Sequence, residues 1–164
     1  EQRYTHKGGI CFYGGSAGGL TGGAVANMAP ELFFAMLLLV PFVDTMTTML
    51  NDKLPLTPAE WELWGNPIKS KDYFDYILSY SPYNNLENKF YPPMFVTTSL
   101  FDNRVLYSEP IKYVAKLRDY KVDKNLLLFK CEMNAGHGGR SGRDAGIEEI
   151  SFDYAFALKI SQKI

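Results

Sequence analysis

Gly9-Ile10-Cys11-Phe12-Tyr13-Gly14-Gly15-Ser16-Ala17-Gly18-Gly19, followed by the small-residue stretch from Leu20 to Met28, decides how this chain is read. An apolar run, a glycine-rich corner and a helix-forming stretch make strand, tight turn, helix, with Ser16 at the apex. In a G-x-S-x-G elbow the serine occupies a strained turn that exposes its hydroxyl. The flanking glycines are expected because a β-carbon there would collide with the neighbouring strand or helix. The backbone N–H of Ala17 then points at the oxygen of an attacked carbonyl, helped by the partial positive charge of the helix N-terminus. Ser16 is therefore a candidate nucleophile and Ala17 a candidate oxyanion donor. Taken alone, the pattern also fits a glycine-rich turn with a solvated serine. A phosphate-binding loop would need a Gly-Lys-Ser/Thr ending, which is missing. A dinucleotide fingerprint would need Ser16 to replace its second glycine.

A serine nucleophile needs a base, and the base needs an orienting carboxylate. The chain has two histidines. His6 lies in a polar stretch before the first strand and is expected to be exposed. His137 lies in Asn134-Ala135-Gly136-His137-Gly138-Gly139, just past the strand-like run Leu126 to Lys130, where it can reach the same end of a parallel sheet as Ser16. In an α/β-hydrolase the order is Ser, then Asp or Glu, then His. Asp102 fits, following the β-rich run Met94 to Leu100. Asp44, after Leu37-Leu38-Leu39-Val40-Pro41, also sits at a strand end but comes one strand too early. Three strand ends supplying Ser16, Asp102 and His137 in that order are far more specific than any one of them. The Ser16 hydroxyl and a His137 ring nitrogen are expected near hydrogen-bonding distance, roughly 2.6–3.2 Å or looser without substrate.

At 164 residues the length suits one domain, and a formal net charge of −1 gives no case for nucleic-acid or membrane-surface binding through bulk charge. The longest apolar run, around Phe33 to Val43, is too short to span a bilayer. Cys11 and Cys131 lie far apart, each in or beside a strand. They read as buried free thiols in a reducing, cytoplasmic setting and lack the paired spacing of a zinc site. The chain starts at Glu1 rather than methionine, so the lack of a visible signal peptide means little.

Strands are expected at 9–13, 33–40, 94–100 and 126–131. Helices are expected at 17–28, at 70–79 opened by Ser70, at 108–120 capped by Ser108, and at 145–161 as an amphipathic C-terminal element. Residues 44–66 form an excursion rich in Thr, Trp and Pro. Strands alternating with helices argue for a mostly parallel α/β sheet. Four strands with the nucleophile on the first fit the C-terminal half of an α/β-hydrolase fold, with the first strands missing, so 1–164 reads as a partial catalytic domain.

With the triad order in place, the chain resembles the catalytic domain of the oligopeptidase B branch of the prolyl oligopeptidase family of serine peptidases. The matching stretches are Gly14 to Gly19, Val40-Pro41-Phe42-Val43-Asp44, Glu60-Trp61-Glu62-Leu63-Trp64-Gly65-Asn66-Pro67, Tyr80-Ser81-Pro82-Tyr83-Asn84, Asp102-Asn103-Arg104-Val105 and Ala135 to Gly139. They span nearly the whole chain. The resemblance implies cleavage of short peptides after Arg or Lys without a cofactor, at an active site covered by a β-propeller. It implies Ser16 as nucleophile, Asp102 as orienting acid, His137 as base and Ala17 N–H as one oxyanion donor. The family's second donor, a tyrosine upstream of the elbow, has no counterpart here, and neither do the propeller and the first half of the domain. Association with that missing N-terminal portion is expected.

The resemblance also implies that Glu60 and Glu62 line the pocket for the substrate's basic side chain, where a carboxylate–guanidinium pair would anchor it. From the residues alone, Thr57-Pro58-Ala59-Glu60 reads as a capping box. Two positions apart on a helix is roughly 200° of rotation, so both carboxylates share one pocket only if the segment is extended or starts its helix there. Three functions compete: the serine peptidase, another acyl hydrolase such as an esterase, and a non-catalytic chain that needs a partner. The acidic pair argues against an esterase. In the third case residues 9–13 form an open sheet edge, and the apolar run 33–40 loses part of its cover.

Overall fold

The computed structural model describes residues 4–161. Strand β1 (Ile10–Gly15) runs through Ser16 into helix α1 (Ala17–Met28). Pro30, Glu31 and Leu32 make one 3₁₀ turn before β2 (Phe33–Leu39). Two short helices follow, α2 (Thr45–Met49) and α3 (Thr57–Trp64), then α4 (Lys71–Tyr80). The chain re-enters the sheet as β3 (Met94–Ser99), crosses through α5 (Ser108–Tyr120) to β4 (Leu127–Glu132), and ends in α6 (Arg143–Ser161). All three strand pairs are parallel and the order is β1-β2-β3-β4. The fold is α/β, as the alternation of the sequence requires.

The two faces of the sheet follow from the period of two along β2. Met36 and Leu38 join Val96, Tyr113, Val114 and Leu117 in a core under α1 and α5. Ala35 and Leu37 face the other way, against Phe95 and the Phe156 and Ile160 side chains of α6. A third apolar cluster holds the arm made by α2, α3 and α4, with Met46, Met49 and Ile77 at its centre.

Helix α1 approaches the sheet as closely as a backbone can. A β-carbon at Gly22 would lie 2.4 Å from Leu38 Cδ2 and 2.5 Å from Phe12 Cε1. One at Gly19 would lie 2.4 Å from Pro41 Cβ. The small-residue stretch is thus a packing surface.

Several expectations are corrected. The apolar run at 33–40 keeps its cover: Ala35, Met36, Leu37 and Leu38 are at most 2% exposed, because α1 and α6 close on both faces. The open edge expected at 9–13 is present on β1. It has a neighbour on one side only, and Cys11, Tyr13 and Gly15 on its second face are exposed. Cys11 is therefore an exposed thiol and Cys131 a half-buried one; both are free. Ser108 is the first helical residue of α5 and Tyr107 takes the cap position without a side-chain hydrogen bond. Ser70 does cap α4, accepting from Tyr73 N. Helix α6 buries one stripe, Asp153, Phe156 and Ile160, but exposes a second apolar stripe, Ile147, Ile150, Tyr154 and Leu158. Among the described residues no helix is long and apolar enough to cross a membrane.

Candidate active site

Ser16 is held at φ 54°, in the left-handed region that a side-chain-bearing residue avoids. Strain of this kind costs on the order of 1–3 kcal/mol and persists only where surrounding bonds enforce it. Here Ser16 N donates to Leu39 O (2.9 Å), and Ser16 O accepts from Leu20 N (3.1 Å) and Phe42 N (3.0 Å). Val40, the residue after β2, carries the second positive φ of a non-glycine, 41°. Its turn brings Pro41 onto Gly19 and Phe42 N onto Ser16 O. The elbow and the end of β2 are thus strained as a pair. Of the glycines, Gly14 is required, since a β-carbon there would meet Gly18 O at 2.7 Å. Gly18 meets nothing within 4 Å, so crowding does not account for the second glycine of the motif.

Beyond β3 the chain turns so that Asp102 N donates to Ser99 O and the carboxylate is fully buried. Its Oδ1 accepts from Arg104 N and Val105 N, both at 2.9 Å. Its Oδ2 lies 2.8 Å from His137 Nδ1. Beside a carboxylate whose other oxygen already receives two N–H groups, Nδ1 is the donor, which leaves Nε2 with its lone pair free. The His137 loop is braced from α6: Glu149 Oε1 accepts Arg140 N at 3.0 Å, and the Arg140 guanidinium pairs with Glu148.

Ser16 and His137 border one cavity of about 370 Å³. No hydrogen bond joins the two side chains, in contrast to the close pairing of His137 with Asp102. Catalytic hydrogen bonds between loops from different strands are commonly long without substrate and tighten around it. Ser16 and Ala17 also border a second cavity, of about 360 Å³, which Glu60, Trp64 and Thr48 line with them. Ser16 therefore sits on the ridge between two cavities.

Glu60 reaches the second cavity and Glu62 does not; Glu62 is exposed. The cause is the one anticipated: α3 is helical from Thr57 to Trp64, so two positions on turns the side chain away. The capping box is absent. Leu56 holds the cap position without a side-chain bond, the Thr57 hydroxyl donates to Thr48 O (3.1 Å), and Glu60 Oε2 accepts the Trp64 indole N–H at 2.6 Å. Exposed Arg104 lies on the rim of the same cavity, so Glu60 does not act there unopposed. Asp44 is buried against Lys112, away from His137. His6 is exposed, with Nδ1 2.8 Å from Lys7 O.

Sequence reasoning missed Glu109. It opens α5 three residues after the cavity-lining 103–106 stretch and is 3% exposed. Its Oε1 accepts the Thr48 hydroxyl (2.6 Å) and its Oε2 accepts Asp44 N (3.0 Å). Burial pushes its carboxyl up to about 7, the like charge of Asp44 adds to this, and the two hydrogen bonds and Lys112 oppose it. Its only signal was an acidic residue in a first helical turn, which ordinarily faces solvent. Among the described residues, no group of three or more His, Cys, Asp and Glu is arranged to hold a metal ion.

The family model described as the prolyl oligopeptidase family matches residues 1–163. The chain is 52% identical over 158 residues to dipeptidyl aminopeptidase BI of Pseudoxanthomonas mexicana, covering 96% of this chain and 22% of that protein. It is 53% identical over 158 residues to protease 2 of Moraxella lacunata, covering 96% and 23%. Among solved structures it resembles oligopeptidase B from Leishmania major, with TM-score 0.92 and 46% identity over 95% of this chain and 22% of that one. Oligopeptidase B from Trypanosoma brucei with covalently bound antipain gives TM-score 0.91 at 45% identity, over 94% and 22%. The chain thus spans less than a quarter of the length of these relatives.

Proposed function

The chain belongs to the prolyl oligopeptidase family, and on that footing we propose that it carries the catalytic centre of a serine peptidase that cleaves peptides after Arg or Lys. The observation that carries this reading is the 2.8 Å pairing of His137 Nδ1 with buried Asp102, beside a cavity that the strained Ser16 also borders. In this mechanism His137 Nε2 takes the Ser16 proton as Oγ attacks the scissile carbonyl. Ala17 N–H and the N-terminus of α1 stabilise the oxyanion. His137 then returns the proton to the leaving amine, and water releases the acyl group by the same route. Asp102 keeps the ring oriented through its bond to Nδ1. The covalently bound antipain of the T. brucei relative supports a nucleophilic site in this fold.

The preference for a basic side chain rests on Glu60. A carboxylate whose second oxygen is free of the Trp64 indole can meet a guanidinium or ammonium of a short basic peptide. The two free thiols favour a reducing, cytoplasmic setting.

A second reading has its own observation. β1 lies at the sheet edge and α6 bears an uncovered apolar stripe. We therefore propose that the working enzyme unites this chain, as part of an α/β-hydrolase domain, with an N-terminal portion such as its longer relatives possess. The test is a neutral fluorophosphonate applied to the purified chain, with the adduct mapped by peptide mass. Labelling of Ser16 that is slowed strongly in His137→Ala supports the triad. Labelling indifferent to His137→Ala sinks it.

A further inference from the structure

We propose that Glu109 is a positioning residue that fixes the α2–α3 arm, and with it the Glu60 wall of the second cavity. The inference rests on the peptidase reading only for what the cavity binds.

Helix α2 has five residues, too few to be stable without tertiary support. Its cap residue Asp44 makes no side-chain cap bond, because its carboxylate is turned to Lys112. Packing of Met46 and Met49 against Ile77 and the bond from Met46 N to Ser81 Oγ hold α2 on the α4 side. On the α5 side Glu109 fastens it, taking a hydrogen bond at each end of one helical turn, from Asp44 N and from the Thr48 hydroxyl. The chain of contacts continues outward. Thr48 O accepts the Thr57 hydroxyl (3.1 Å) and Met49 O accepts the Trp61 indole N–H (3.0 Å). Those two bonds seat α3, which carries Glu60 and Trp64.

On its other side Glu109 belongs to α5, which leads directly from the 103–106 stretch and from Asp102. One buried side chain therefore ties the segment that orients His137 to the arm that presents Glu60. Glu109 does not border either cavity, so it acts through Thr48 and α2.

Only a carboxylate can accept both bonds through separate oxygens without offering a competing donor. Glutamine accepts through one oxygen alone. The charged groups facing this site are Asp44 from the α2 side and Lys112 from α5 itself. Burial resists the charged form of Glu109. The positioning role rests on the two bonds that the carboxylate takes from opposite ends of α2, one per oxygen.

Trp61 and Trp64 are the chain's only tryptophans, and both ride on α3. Acrylamide quenching of their emission reads the arm directly. In Glu109→Gln at pH 8 the quenching constant should rise towards that of the unfolded chain, while the unfolding midpoint is kept or raised. Thr48→Val, which removes the bond from the arm's side, should also raise the quenching constant, at a lowered midpoint because it leaves the buried Glu109 oxygen unpaired. In Glu109→Gln, a purely structural role would lower the midpoint together with any loosening of the arm. That result, or quenching unchanged in both variants, overturns the proposal. Binding of p-aminobenzamidine, measured by calorimetry, should weaken about tenfold in Glu109→Gln, as for one lost hydrogen bond to a charged group. Raised quenching in a native chain that binds no amidine upholds the role of Glu109 and removes the cationic-substrate reading instead.

Discussion

At the scale of single residues, charge and strain divide the labour. Ser16 is strained and reached from two cavities, Asp102 is buried with every partner a donor, and Glu60 lines one of the cavities that Ser16 borders. Glu60→Gln should slow inactivation of Ser16 by an arginine-derived phosphonate about 10- to 100-fold, the worth of a hydrogen bond between charged groups. Inactivation by a neutral phosphonate should hardly change; equal losses on both reagents would make Glu60 structural. Glu109 gives a pH prediction with a definite sign. Its native pKa of about 7 lies above the ordinary 4.5, so the native state binds this proton more tightly than the unfolded chain does. Its contribution is present in full below pH 4.5 and is lost as pH rises through 7, on the order of 3 kcal/mol in all. Thermal melts of Glu109→Gln should lack that decline between pH 5 and 8. A decline as steep as in the unaltered chain would mean that another group titrates.

At the scale of elements, the strands and long helices were legible because hydrophobic period and punctuation agree there: 17–28 and 108–120 are found as expected, and the strands differ by a residue or two at their ends. The order of strand ends likewise led to the pairing of Asp102 with His137. What was not legible depended on tertiary partners. Thr57 spends its hydroxyl on Thr48 rather than on its own helix, Glu109 turns inward from a first turn, and α6 alternates two apolar stripes that one amphipathic face cannot describe. Within the excursion 44–66 the start of a helix at Thr57-Pro58 was legible and α3 begins there, whereas the five-residue α2 was not, because so short a helix is held by its tertiary partners. Helix α1 yields a paired prediction. Gly22→Ala gains helix propensity of about 1 kcal/mol but overpacks against Leu38 and Phe12 and should destabilise by about 1–2 kcal/mol net. Gly18→Ala meets open space and should stabilise by up to about 1 kcal/mol. Urea denaturation of the two variants checks both signs.

At the scale of the whole molecule, the strand that leads into Ser16, the proposed nucleophile, is also the strand at the sheet edge. Loops hung from an edge strand are less constrained, and a misplacement of about 1 Å in a catalytic group costs on the order of 100-fold. On the proposed mechanism Ala17 N–H is one oxyanion donor and no described residue is assigned as a second, and loss of one donor typically costs about 10²–10³ in turnover. The purified chain should therefore hydrolyse an arginine amide barely above its Ser16→Ala control. Turnover near that of a full-length relative would prove it self-sufficient. The close packing of α1 bears on the order of folding. Four of its twelve residues are glycine, each about 1 kcal/mol worse than alanine in a helix, so α1 has little tendency to form before there is a sheet to receive it. Ser16 in turn takes its strained shape from bonds to Leu39 and Phe42, at and beyond the end of β2. If Ser16 is the nucleophile proposed above, it is armed late: a half-folded chain holds a relaxed, unreactive serine. In a refolding time course, phosphonate capture at Ser16 should lag behind the far-UV signal of the sheet, and simultaneous recovery would refute that sequence of events.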